Sequence, residues 1–287
     1  MKTFTTNMQT RPIDKLVLGT AQLGLKYGIN NSEGKPSIKS SLSLLEAAQR
    51  LGIKKLDTSF AYGDAHQVIR ASLNEGCSPF SVITKFSLKQ FRTPNEAYNQ
   101  AKLDLAPNQV GSILFHDSNE AWVYNSLPND LPLGISIYSE EELSRALQLS
   151  WVKLIQLPVS LLDFSPEKRK LISLASERKI EIHARSVFLQ GLFFMEESKI
   201  PSHLAPLNKY LKKIKELAVT YNLTLRELAL NYVIGLQGIT GLVFGVDNQV
   251  QLNENVDALR DHLDRRLINE LHDINVKEKK LLNPSNW

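Results

Sequence analysis

Four residues in the first half of the chain form a set suited to proton transfer. Asp57 lies in KKLDTS, Tyr62 follows in DTSFAYG, Lys85 lies in VITKF and His116 in ILFHD. A phenol of ordinary pKa, about 10, is a poor acid near neutrality. A nearby ammonium favours the phenolate and lowers that pKa, and a carboxylate can hold the ammonium in place. A histidine can direct a hydrogen bond at a carbonyl oxygen and polarise it without giving up a proton. Together the four describe a proton donor aimed at a carbonyl that is gaining negative charge. None of them can carry a hydride, so a reducing cofactor is required.

Something must bring these residues together, and the apolar pattern indicates what. Short apolar segments start near 15, 53, 80, 111, 133, 151, 180 and 239, among them KLVLG (15–19), FSVITKF (80–86), GSILFH (111–116), LGISIYS (133–139), WVKLIQLP (151–158), IEIHARS (180–186) and GLVFG (241–245). Each reads as a strand buried on both faces. Helical patterns separate them, near 40–51, 64–74, 95–104, 140–149, 166–178, 206–221, 224–235 and 248–259, with a polar helix at the C-terminus. The first has Ser40 as its expected N-cap, places Leu42, Leu45, Ala48 and Leu51 on one face, and stops at Gly52. Eight strands alternating with helices predict a (β/α)8 TIM barrel forming a single domain over 1–287. The rival is an open doubly wound sheet. If it held a dinucleotide, G-x-G-x-x-G would follow its first strand, whereas here GTAQLG (19–24) does. In a barrel, function sits at the carboxyl ends of the strands. Asp57, Lys85 and His116 then arrive at one rim from three consecutive strands, with Tyr62 beside them.

Composition narrows the function further. With 43% hydrophobic and 22% charged residues the chain is an ordinary globular protein, not a disordered one. The 34 Lys+Arg against 30 Asp+Glu leave only +4. Lys209, Lys212, Lys213 and Lys215 alternate with Leu207, Leu211, Ile214 and Leu217, which reads as the wet face of a packed helix and not as a nucleic-acid footprint. The one cysteine, Cys77, rules out an internal disulfide and a multi-thiolate metal site. His66, His183, His203, His262 and His272 have no metal-ligand spacing. No apolar run approaches the roughly 20 residues of a membrane span, and MKTFTTNMQTRPIDK has no signal-peptide core. The expectation is a cytoplasmic protein with no metal, no nucleic acid and no membrane among its partners, acting on a small molecule as a monomer or weak homo-oligomer.

These residues resemble the aldo-keto reductases, NAD(P)H-dependent oxidoreductases built on a (β/α)8 barrel. The resemblance runs from LVLGTAQLG (16–24) to QLNENV (251–256). DTSFAYG is similar to the signature that holds that family's catalytic Asp and Tyr, and Lys85 in ITKF and His116 in LFHD match its Lys and His. The resemblance implies NADPH or NADH in an extended pose across the barrel mouth. It places Gly19, Thr20 and Asp57 near the nicotinamide and its ribose, Ser136 and Gln156 at the carboxamide, and Arg185 where many members stack an aromatic ring. Ile137 replaces the Asn expected after Ser136. SVFLQGL (186–192) resembles the pyrophosphate loop, through Ser186, Leu189 and Gly191.

At the adenosine end, GVDNQVQLNEN (245–255) resembles the family motif, with Asn255 as the adenine-binding Asn. Gly245 and Gln251 stand where NADPH-selective members have a Lys and an Arg, and Asp247 lies close by. A 2′-phosphate needs charge-assisted partners, and a carboxylate in their place repels it. The resemblance thus implies weakened NADPH preference, dual use or NADH. Tyr27, in the long first loop (19–37), with Phe86 and Trp122, is expected to line an apolar pocket for the carbonyl substrate. The alternative is a non-catalytic NAD(P)H-binding sensor subunit on the same barrel.

Overall fold

The computed structural model describes residues 11–287 apart from 30, 32, 33, 125, 126, 128 and 129. Eight parallel strands close on themselves in sequence order: β1 (Leu16–Gly19), β2 (Lys55–Ser59), β3 (Ser81–Phe86), β4 (Gln109–Phe115), β5 (Leu133–Ser136), β6 (Leu154–Pro158), β7 (Glu181–Arg185) and β8 (Gly241–Phe244). β8 pairs back onto β1, Leu16 opposite Leu242. The expected barrel is what forms.

The strands are apolar throughout because both faces are buried. Val17, Ile83, Leu114, Leu154 and Val243 form a separate cluster that plugs the inside of the barrel. Their strand neighbours, such as Leu16, Leu18, Val82, Ile113 and Phe115, belong to the larger core between sheet and helices. The period-two alternation of a strand divides them in this way.

The helices are α1 (Ala21–Gly24), α2 (Ile38–Arg50), α3 (Ala65–Ala71), α4 (Pro94–Leu105), α5 (Ser118–Ala121), α6 (Glu140–Ala146), α7 (Pro166–Glu177), α8 (Asn208–Thr220), α9 (Leu225–Gly235), α10 (Gln249–Asp257) and α11 (Arg265–His272). Capping fixes several starts. Thr224 and Glu227 form a capping box on α9, and Ser139 and Glu142 form one on α6. The N-cap expected at Ser40 is corrected to Ser37, whose hydroxyl accepts from the Ser40 amide, so α2 begins almost a turn earlier. Strands expected to start at Trp151 and to run on to Ser139 are shorter. Trp151 sits in a turn, fully buried, with Nε1 donating to the Tyr124 carbonyl at 3.1 Å, and β5 stops at Ser136. The two short helices α1 and α5 lie in loops at strand ends and carry no long apolar period.

Candidate functional site

The strand register sets the site. Gly19 pairs with Asp57, Ser59 with Lys85, Ser136 with Gln156 and Pro158 with Arg185, all at or near carboxyl ends. Side chains from those ends face a cavity of about 700 Å³ that takes in Gly19, Thr20, Asp57, Tyr62, Lys85 and His116. Ser136, Gln156, Arg185, Ser186, Gly191, Gly245, Asp247, Gln251 and Asn255 line the same cavity.

At its floor, the Lys85 ammonium donates to Asp57 Oδ1 at 2.5 Å and to the Thr58 carbonyl at 3.2 Å. Gln156 Nε2 donates to the other Asp57 oxygen at 2.7 Å. Both members of the ion pair are buried, so each depends on the other; a lone charge there would be strongly disfavoured. Thr20 fixes the Asp57 backbone, its amide and hydroxyl both donating to the Asp57 carbonyl at 2.9 and 3.0 Å. Above this pair, Lys85 Nζ lies 5.3 Å from the Tyr62 ring centroid. The Tyr62 and His116 rings meet edge to face, centroids 6.0 Å apart. Gly24 allows this placement of Tyr62, because a Cβ there would fall 1.8 Å from the Tyr62 carbonyl oxygen.

Burial and the Asp57 charge hold the Tyr62 phenol above the usual tyrosine range. This corrects the expectation that Lys85 would pull it down. Taking the phenol out of water disfavours its anion, and the Asp57 carboxylate disfavours it further. Tyr62 therefore carries its proton in the free site. Burial and the Lys85 charge push His116 down to about 4, so the imidazole is neutral near neutrality. Ser59 Oγ lies 3.2 Å from His116 Nδ1, accepts from the Ala61 amide and is within reach of the Lys85 carbonyl.

Around Arg185, the guanidinium donates from Nη2 to the Ile137 carbonyl at 2.8 Å and stacks over Tyr138, 4.2 Å from its centroid. The following loop holds Ser186, Leu189 and Gln190 at positive φ (59°, 46°, 53°), ahead of Gly191 at 94°. Within this loop the Leu189 amide donates to the Ser186 carbonyl at 2.9 Å and the Gly191 amide to the Phe188 carbonyl at 3.0 Å. At the far end, Asp247 and Gln251 close on each other, the Asp247 amide donating to Gln251 Oε1 and Gln251 Nε2 to Asp247 Oδ2, at 3.0 and 3.2 Å. Arg226 of α9 holds Asn255 through its side-chain oxygen and Glu254 at 2.7 Å.

Three expected positions are corrected. Phe86 is buried against Phe115 in the outer core and does not reach the cavity. Trp122 packs under the Arg145 guanidinium, 4.5 Å from its ring centroid, away from the site. The Leu189 side chain is buried and its amide already donates to the Ser186 carbonyl. Tyr27 does line the cavity, its hydroxyl 3.4 Å from Gln190 Nε2. Sequence reading misses Gln22, Tyr138, Phe188, Phe194 and Arg226 in the lining. It also misses Ser59, although Ser59 stands in the same DTS segment as Asp57, where its position is a usable signal.

Among the described residues no group of His, Cys, Asp and Glu could hold a metal ion. No helix among them is long and apolar enough to cross a membrane. Three buried polar atoms of the cavity lining have no partner: Gln156 Oε1, Arg185 Nε and Asn255 Nδ2. An acceptor at one end and a donor at the other fit a carboxamide and an adenine ring, so the residues present suit a nicotinamide dinucleotide.

A phenol, an imidazole and a buried lysine–aspartate pair thus share the mouth of a (β/α)8 barrel, in a cleft whose lining suits a dinucleotide. The chain belongs to the aldo/keto reductase family, whose family model matches residues 132–276, just over half of it. The match begins after His116, so Asp57, Tyr62, Lys85 and His116 lie outside it. Comparison with curated protein sequences finds no match. Among solved structures, the holo form of the aldo-keto reductase AKR11C1 from Bacillus halodurans is similar, at 19% identity and TM-score 0.71, over 93% of this chain and 95% of that one. So is an aldo-keto reductase enzyme from a Medee basin deep-sea metagenome library, at 16% identity and TM-score 0.63, over 94% and 93%. The aldo-keto reductase AKR2E5 of the silkworm Bombyx mori matches at 17% identity and TM-score 0.62, over 91% and 84%. At these identities the likeness is one of fold. Family and fold together support a general NAD(P)H-dependent carbonyl oxidoreductase.

Proposed function

We propose that the protein reduces an aldehyde or ketone to the alcohol, with Tyr62 as general acid. The reading rests on one observation above all: Tyr62, His116 and the Lys85–Asp57 pair share one cavity wall at the barrel mouth. Gln156, Ser136, Thr20 and Gly19 would hold the nicotinamide end of NAD(P)H, and Asn255 the adenine. The cofactor supplies the hydride. Neutral His116 orients the carbonyl oxygen by donating to it. As that oxygen becomes an alkoxide, its basicity exceeds that of phenolate and it takes the Tyr62 proton. Lys85 then lies near the new phenolate and stabilises it, while Asp57 and Gln156 keep the ammonium in place. The high phenol pKa of the free site thus serves the reaction, because it preserves the proton until the alkoxide needs it.

If the adenosine lies along α10, the Asp247 carboxylate, closed on Gln251, would repel a 2′-phosphate, which supports NADH or dual use. One barrel with all these groups on one chain supports a single-domain enzyme that needs no partner subunit for its site. Tyr62→Phe tests the reading. Turnover of an accepted carbonyl should fall by about 10²–10⁴-fold, while cofactor affinity measured by fluorescence stays within about threefold. Near-full turnover in that variant removes Tyr62 from the role.

A further inference from the structure

Among the described residues three cations line the cavity, and two of them are held in ion pairs. Lys85 is held by Asp57 at 2.5 Å and Arg226 by Glu254 at 2.7 Å. Arg185 has no ion-pair partner among the described residues. Its guanidinium is fixed by neutral groups alone: the Ile137 carbonyl at 2.8 Å, the Ser186 hydroxyl at 3.4 Å and the face of Tyr138. Nε is buried without a partner. Among the described residues Arg185 is therefore the one unpaired positive charge lining the reacting chamber. Its field reaches both Tyr62 and His116, favouring the less positive form of each.

The proposed reaction changes charge in that chamber. A hydride carries two electrons from the dihydropyridine ring to the carbonyl carbon, and the oxygen takes its proton from Tyr62. The ring, neutral before, is left as a pyridinium cation. A ring able to serve a carbonyl held between Tyr62 and His116 would lie inside the field of Arg185, and a fixed cation in a partly dry cleft would disfavour a second one. Tyrosine or another neutral stacking group at this position would impose no such penalty.

We infer that Arg185 makes the site discriminate between the redox states of its cofactor, retaining NAD(P)H and expelling NAD(P)+ once hydride has left. This rests on the proposed function and adds to it a device for releasing the oxidised cofactor, a step that often limits turnover. The test needs no substrate. Reduced and oxidised NAD and NADP are titrated into the full chain by calorimetry and fluorescence, for wild type, Arg185→Gln, Arg185→Met and Arg185→Lys, with circular dichroism to show that each is folded.

The ratio Kd(oxidised)/Kd(reduced) should fall about tenfold in the Gln and Met variants and stay within about threefold in the charge-preserving Lys variant. A tenfold change corresponds to about 30 mV for a two-electron couple. A ratio unchanged in folded Arg185→Gln, with both redox forms still binding, overturns the inference and leaves the proposed function standing. Failure of wild type to bind any of the four forms overturns the proposed function, and this inference with it.

Discussion

The two ends of the cavity are built on different principles. At the reacting end, adjacent strands deliver Asp57, Lys85 and His116, and the ladder register fixes their spacing. At the end proposed to hold the adenosine, Asn255 and Gln251 sit on α10, Asp247 in the loop before it, and Arg226 arrives from α9. The first set is rigid because parallel pairing locks it to the barrel. The second is held by side-chain contacts between two helices. Catalysis requires positions good to a fraction of an ångström, whereas a nucleotide tail needs only adequate affinity. The difference between strand ends and helix–helix contacts follows that division of demands.

Lys85→Met should break the reacting end most severely. It removes the ammonium near Tyr62 and strands the buried Asp57 carboxylate, leaving it only Gln156. Turnover should fall by about 10²–10⁴-fold, and thermal melting should show a loss of about 3 kcal/mol from the unpaired charge. The double variant Lys85→Met with Asp57→Asn should recover most of the stability and none of the rate. Recovery of rate would mean that Lys85 acts only through the fold.

The reacting end should also show itself in the pH dependence of stability. His116 has its pKa depressed to about 4 in the folded protein against an ordinary 6.5. Between those values the unfolded chain binds the proton and the native one does not, so stability falls as the pH drops from about 6.5 to about 4 and changes no further below. Allowing for solvent screening at its exposed edge, the loss is about 2 kcal/mol. Denaturant melts of wild type and His116→Gln across that window should differ by this slope. Parallel curves would place the imidazole in water.

At the other end, Arg226→Ala should weaken cofactor binding about tenfold, because Asn255 and Glu254 lose the group that positions them. NADH and NADPH should weaken alike, with kcat nearly unchanged, since Arg226 is already occupied by Glu254. Selective loss of NADPH would mean instead that Arg226 reads the 2′-phosphate, and would reverse the preference drawn from Asp247.

The same contrast explains what can be seen in the sequence. Asp57, Lys85 and His116 stand out because each ends an apolar run, and a barrel gathers strand ends on one rim whatever its loops do. Arg226 cannot be seen this way. It sits in the first turn of a helix that is buried on every side from Glu227 to Ile234, and only the packing of α9 beside α10 brings it to Asn255. Phe86 and Trp122 mislead because proximity in sequence to Lys85 and His116 is not proximity to the cavity. Strand alternation sends Phe86 outward, and Trp122 lies beyond α5 under Arg145. The direction of the Tyr62 pKa escapes the sequence for a related reason. Sequence gives the partners of a charge but not the depth at which they are buried.

Ser59 offers the finest test of the reacting end. Its hydroxyl has one hydrogen and two acceptors in reach, the Lys85 carbonyl and His116 Nδ1, both at 3.2 Å, while it accepts from the Ala61 amide. Neutral His116 likewise has one N–H. If Ser59 donates to Nδ1, the imidazole hydrogen sits on Nε2, where it can meet a carbonyl oxygen; if Ser59 donates to Lys85, that hydrogen is drawn to Nδ1 and the donor is lost. The proposed mechanism requires the first arrangement, which makes Ser59 a positioning residue for the tautomer. Ser59→Ala should lower kcat by about threefold to tenfold with little change in cofactor Kd. The Nδ1 and Nε2 nitrogen shifts of His116 in NMR spectra should move toward a tautomer mixture, and Ser59→Thr should restore both rate and shifts. A rate loss with unaltered nitrogen shifts would show that Ser59 supports only the Ala61 turn.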